Sequence, residues 1–250
     1  MASAKIFQLS ADALGSEIVT IHVGPKQKNF TVHKKLLCDR SEFFSKAFNG
    51  EFKEATDGVM YLPEDDADAF DSMIVYIYQN LLPVFPNLEC DEYLETILYP
   101  LFALAEKLCL NELANRVMDL IQDTGLNSSL VPGNEPGGGN YMIYTLTPVG
   151  SKLRVYSVLM QVYIQHASTT ETVEEADAEM GKELAELARH HPDFATDYIK
   201  LMWKYRARFQ KVNPPADAQV RNSEKGFGRC FFHTHHKDEV CHLDTDATDK

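Results

Sequence analysis

The sequence predicts an α+β fold, a small mixed sheet with a helical cluster, followed by an all-helical extension. Three observations predict it. Two β-branched runs, Ile18–Val23 and Lys28–His33, flank a Gly24-Pro25 turn and read as a hairpin. From Lys34 onward apolar residues recur at spacings of three and four, interrupted by one short strand-like run, Val59-Met60-Tyr61-Leu62. A Gly- and Pro-rich stretch from Thr124 to Asn140 then separates two differently patterned halves.

Residues 1–16 are weakly patterned and form a lead-in. Lys34 to Phe48 has helical spacing, with Leu37, Phe44 and Phe48 on one face and Asn49-Gly50 closing it. Asp66 or Asp68 is placed to cap a helix that buries Phe70, Met73, Ile74 and Ile77. Pro83 and Pro86 end it. Helical pattern resumes at Tyr93, and Pro100 permits a kink or fresh start. The stripes Leu101, Leu104, Leu108 and, after the cap Asn111, Leu113, Val117, Leu120 follow.

The domains expected are therefore 17–123, a linker at 124–143, a helical extension at 144–213 and a polar tail at 214–250. In the extension, Thr147-Pro148 reads as cap and first helical residue. Val149, Leu153, Tyr156, Met160 and Tyr163 share one face, and Val155, Val158 and Val162 add a second. Thr172 with Glu175 forms a capping box for a helix with Ala176, Met180, Leu184 and Leu187 inward. His190-His191-Pro192 breaks it, and a last helix from Asp193 carries Phe194, Tyr198, Leu201, Tyr205 and Phe209.

Composition excludes several functions. The formal net charge is −13, which disfavours direct nucleic-acid binding because phosphate neutralisation needs clustered Lys and Arg. Eight acids against Lys53 in Glu51–Asp71, and seven against Lys182 in Glu171–Glu186, read as solvated surface. No apolar run approaches the roughly 18 residues of a membrane span, and residues 1–10 lack a secretory h-region. Five cysteines at irregular spacing do not form a disulfide framework and suit an intracellular setting, in cytoplasm or nucleus. Cys38 and Cys109 are expected as inert core thiols. The run Gly137-Gly138-Gly139 does not read as a phosphate-binding loop, since a preceding strand, a following helix and a Lys-Ser/Thr step are all expected to be missing. No catalytic constellation is recognisable, so an enzyme is not expected.

The run from Glu17 to Tyr78 resembles the BTB/POZ domain family. Glu17-Ile18, Phe30-Thr31-Val32-His33-Lys34, Leu37, Ser41-Glu42-Phe43-Phe44, Val59–Leu62, Glu64-Asp65-Asp66 and Phe70–Tyr78 follow its pattern in order and spacing. Glu17 stands where the family usually has Asp. The resemblance implies the BTB/POZ fold, with one shared core from Val19, Ile21, Phe30, Leu37, Phe44, Leu62, Phe70 and Ile74. It makes His33 a buried, hydrogen-bonded structural residue, and Lys34 and Ser41 capping or positioning residues. Tyr144, Thr147, Ser151, Leu153 and Arg154 resemble the fungal type of BTB protein, which commonly ends in a Cys-x-x-His-x-His tail with a further cysteine.

That tail contains the chain's main cluster of ligand-type residues. Cys230, His233, His235 and Cys241 are residue types zinc prefers, and four of them close a structural site. His236 and His242 are rivals, and a flexible tail that holds metal weakly is the other reading. Lys237-Asp238-Glu239 would form the returning loop, and Phe231 and Phe232 would pack over the metal or the last helix. The family resemblance implies a protein–protein interaction adaptor or scaffold, acting as a homodimer or recruited to a cullin-type ubiquitin ligase. The alternative is a metal-binding, transcription-linked regulator acting through the tail and through protein partners, since the tail from Pro214 has five Lys/Arg against seven Asp/Glu.

Overall fold

The computed structural model describes residues 9–85, 87–128, 130–167, 174–209, 227–236 and 239–243, the side chains of 166–167, 174–177 and 209 excepted. After a four-residue helix α1 (Ala11–Leu14), β1 (Ile18–Val23) pairs antiparallel with β2 (Lys28–His33), Ile18 opposite His33. β3 (Val59–Leu62) runs parallel to β1, and the sheet order is β2-β1-β3. A parallel neighbour demands a crossover, made here by α2 (Lys34–Arg40), α3 (Glu42–Asn49) and α4 (Lys53–Asp57). Alternation then sorts the faces. Val19, Ile21, Val23, Phe30, Val32, Met60 and Leu62 are buried, while Ile18 and Tyr61 are exposed.

The stretch from Lys34 to Phe48 breaks at Ser41. Its hydroxyl accepts from the Phe44 amide at 3.2 Å and donates to the Leu108 carbonyl at 2.6 Å, so one buried group caps α3 and satisfies another segment. Asp66 caps α5 (Ala67–Gln79) by accepting from the Asp68 and Ala69 amides. Phe44, Phe70, Met73 and Ile77 are buried completely, whereas Ile74 is only half-buried.

α6 (Cys90–Tyr93) continues through a π-helical turn, Leu94–Leu98, into α7 (Tyr99–Lys107). Pro100 has no N–H to give the Thr96 carbonyl, and the Tyr99 amide reaches back five residues to Leu94. The helix therefore bulges and does not stop. α8 (Asn111–Ser128) follows. Cys109, expected in the core, is exposed in the turn before α8 at φ 55°, while Cys38 is half-buried with its thiol 3.6 Å from the Phe44 carbonyl. None of the five cysteines is in a disulfide.

The described residues of 1–87, 100–117 and 242–250 form one compact unit, and those of 88–99 and 118–241 a second. The division falls inside α8, away from the boundary expected near Asp123. The expected linker is largely ordered: α8 runs to Ser128, and α9 (Gly139–Leu146) begins inside the triple glycine. Asn140 donates to the Pro132 carbonyl at 3.0 Å and to Asn134 Oδ1 at 2.8 Å; Gln161 donates to the same carbonyl at 2.9 Å. Buried side-chain amides thus replace the apolar surface that the stretch lacks. A Cβ on Gly139 would stand 3.1 Å from Pro132 Cα and 3.2 Å from Tyr99, which is why glycine sits there. A helix does follow the triple glycine, contrary to expectation, although neither a preceding strand nor a Lys-Ser/Thr step accompanies it.

α10 (Lys152–Ala167) starts later than Thr147-Pro148 suggested. Gly150, at φ 89°, turns the chain first, and Thr147 instead closes α9 through a 2.6 Å bond from its hydroxyl to the Ile143 carbonyl. Val149 is left 72% exposed, while Leu153, Tyr156, Val158, Met160, Val162 and Tyr163 are buried. Arg154, 6% exposed, donates to the Tyr144 and Thr147 carbonyls and to Thr147 Oγ1, with Asp193 at 3.4 Å. α11 (Glu174–His190) and α12 (Pro192–Phe209) complete the second unit, with Leu187 and Phe194 inward and Met180 at the surface. Thr172 lies outside the described residues. Among the described residues no helix is long and apolar enough to cross a membrane.

Candidate metal centre

Aromatic packing positions the C-terminal segment. Gly228, at φ 75°, turns the chain into a 3₁₀ turn, Arg229–Phe232. Phe232 is fully buried and meets Tyr156 of α10 edge-on at 5.3 Å, while Phe227 and Phe231 pack on Tyr205 of α12 at 4.9 and 5.7 Å. Lys152 donates to the Phe231 carbonyl at 2.9 Å and covers its ring. Burial lowers the Lys152 pKa, against the opposing pull of Cys230. Arg229 forks onto α8, reaching Asp119 Oδ1 at 3.0 Å and Asp123 Oδ2 at 2.9 Å.

Held this way, Cys230, His233, His235 and Cys241 bring one ligand atom each to a common point, all within 4.8 Å of one another. Cys230 Sγ is 3.4 Å from His235 Nε2, and His233 Nδ1 is 3.4 Å from Cys241 Sγ. A tetrahedral zinc shell with Zn–S about 2.3 Å and Zn–N about 2.0–2.1 Å has an N–S edge of about 3.5 Å. These two pairs already sit at that spacing. His233 and Cys241 are buried, His235 is half-buried, and Cys230 lies at the rim. The group could hold a metal ion.

The other nitrogen of His233 faces a carboxylate, Nε2 lying 3.2 Å from Asp119 Oδ1. An ionised carboxylate only accepts, so His233 carries a proton on Nε2 and turns Nδ1 towards Cys241. His235 Nδ1 is buried with Glu239 Oε2 at 4.0 Å, beyond hydrogen-bond range, leaving Nε2 as its inward atom. His236 falls outside the group, and its backbone amide donates to Glu239 Oε2 at 2.7 Å. Lys237 and Asp238 of the expected returning loop lie outside the described residues. Sequence reasoning missed Asp119 and Arg229. The signal was partial: Asp119 and Asp123 recur four apart and so share one helix face, but nothing in that spacing names their partner.

In the first unit the histidine that enters α2 plays a different part. The His33 amide donates to Tyr78 Oη at 3.1 Å, and His33 Nδ1 lies 2.8 Å from the same oxygen. An oxygen that accepts the amide is free to donate to Nδ1, so strand end and α5 are tied by one phenol. His33 is half-buried rather than buried. Glu17 pairs with Lys34 at 3.1 Å.

Comparison with known proteins agrees with this architecture for the first part of the chain. The family model for the BTB/POZ domain matches residues 18–124. No curated protein matches the chain.

Proposed function

Residues 18–124 are a BTB/POZ domain, generally a protein–protein interaction module, and from that premise we propose that the chain is a non-enzymatic, intracellular adaptor. Its first unit docks a protein partner or a second copy of itself, and its helical extension engages another protein. The domain match is the observation that carries this reading. The open face of the sheet supports it: Ile18 and Tyr61 are 62% and 60% exposed, and His22 stacks on Tyr61 at 4.8 Å. A net charge of −13 favours protein partners over nucleic acid.

Two finer versions follow, a two-fold homodimer and recruitment to a cullin-type ubiquitin-ligase scaffold. Light scattering of the full chain at high micromolar concentration distinguishes them. A mass of twice 28.3 kDa, returning to monomer in Ile18→Lys with Tyr61→Lys, supports the dimer. A monomer that binds a purified cullin in a titration supports the ligase version. A monomer with no measurable cullin binding removes both.

A further inference from the structure

We propose that Cys230 Sγ, His233 Nδ1, His235 Nε2 and Cys241 Sγ bind one zinc ion in a closed structural site, with Asp119 as the carboxylate that orients His233. Two thiolates and two imidazoles form a soft, tetrahedral donor set suited to zinc. Four protein ligands leave no open position for water or substrate, which separates this site from a catalytic one. Charge balances as well. Two thiolates neutralise the ion, and Arg229 at 3.0 Å offsets Asp119, so the buried half of the site carries little net charge.

Asp119 gives the site its asymmetry. A histidine that ligates through one nitrogen commonly donates the other N–H to a carboxylate, which fixes ring orientation and raises ligand basicity. Here that carboxylate comes from α8, 114 residues earlier in the chain. Zinc would therefore join Cys241 to the turn Cys230–His235, while the Asp119–His233 contact ties that turn to α8 beside the buried ring of Phe232. Metal binding free energy becomes folding free energy for that segment.

The test uses full-length, untagged protein purified without chelators. Elemental analysis is expected to give one equivalent of zinc, with X-ray absorption showing two sulfur neighbours at about 2.3 Å and two nitrogens at about 2.0–2.1 Å. Cys230→Ser together with Cys241→Ser should remove the zinc. Asp119→Asn should weaken zinc binding about 10–100-fold in competition with a chromophoric chelator, whereas His236→Ala should leave it unchanged. Should the double cysteine variant misfold, cobalt(II) added to zinc-stripped wild-type protein still reports the site through the visible bands of a tetrahedral sulfur–nitrogen complex. Wild-type protein that neither contains zinc nor takes it up, stoichiometric zinc that survives loss of both cysteines, or a Cys230–Cys241 disulfide in freshly purified protein would overturn the site. An Asp119→Asn affinity within about twofold of wild type would overturn the orienting role.

Discussion

The two units bury different chemistry. In the first, the buried polar side chains among the described residues are Ser41, Ser72 and Asn115, set in a core of aliphatic and phenyl groups. The second buries Asp119, Asn134, Asn140, Arg154, Gln161 and His233. An apolar core is held by a force that is non-directional and scales with area. A buried polar network holds one arrangement, and losing one partner leaves the others desolvated and unmatched. The first unit should therefore fail by losing volume, and the second by losing single hydrogen bonds.

Separating the units is the harshest way to break this comparison. We propose that residues 9–128, expressed alone, retain a cooperative thermal transition because the first unit's core is complete within them. Their Tm should fall, since Leu94, Leu98 and Tyr99 cluster with the second unit. Calorimetry showing no transition would refute the boundary.

Single substitutions sharpen the contrast. Phe44→Ala removes a ring with no exposed surface and should cost about 3–5 kcal/mol in urea unfolding; a loss below about 1 kcal/mol would contradict the apolar-core account. Arg154→Ala deprives the Tyr144 and Thr147 carbonyls of their donor and should cost about 2–3 kcal/mol. Arg154→Met, similar in volume, should recover little if hydrogen bonds and not packing are what matter. Tyr78→Phe tests the first unit's polar tie at His33, where partial exposure limits the loss to about 1 kcal/mol. A larger loss there than at Arg154 would reverse the comparison.

The smallest effect is with pH. His191 has its pKa lowered by burial, then by Arg154 and His190, against Asp193. The unfolded chain therefore binds this proton more readily. Its contribution to stability is complete above about pH 6.5 and shrinks as pH falls below it. His191→Gln should flatten the pH dependence of Tm between about pH 5 and 7, a shift resolved by parallel scans of wild type and variant.

Two histidines show what was legible in advance. His33 stands in the run Phe30-Thr31-Val32-His33-Lys34, where the sequence itself marks strand end and helix start; its partner Tyr78 lies 45 residues on. His233 was visible as a ligand type in a Cys/His cluster, but neither the nitrogen it turns towards Cys241 nor its contact with Asp119 could be read from local spacing. The misplaced expectations share one origin. Thr147-Pro148 reads as a helix start that would bury Val149, but Gly150 moves that start to Lys152. Apolar neighbours in sequence suggest a core position for Cys109, yet it is exposed in a turn at φ 55°.

The sequence by itself determined the hairpin, the third strand, the amphipathic helices and the residue types of the Cys/His cluster. Each of those depends on neighbours within a few positions, where periodicity of two or 3.6 reports which face meets the core. Tertiary structure alone decided that the Gly- and Pro-rich stretch is ordered, that Asp119 faces His233, and that Arg154 closes a network of carbonyls. A buried polar group is stable only beside its partner, and a partner 114 residues away becomes a neighbour only after the chain has folded.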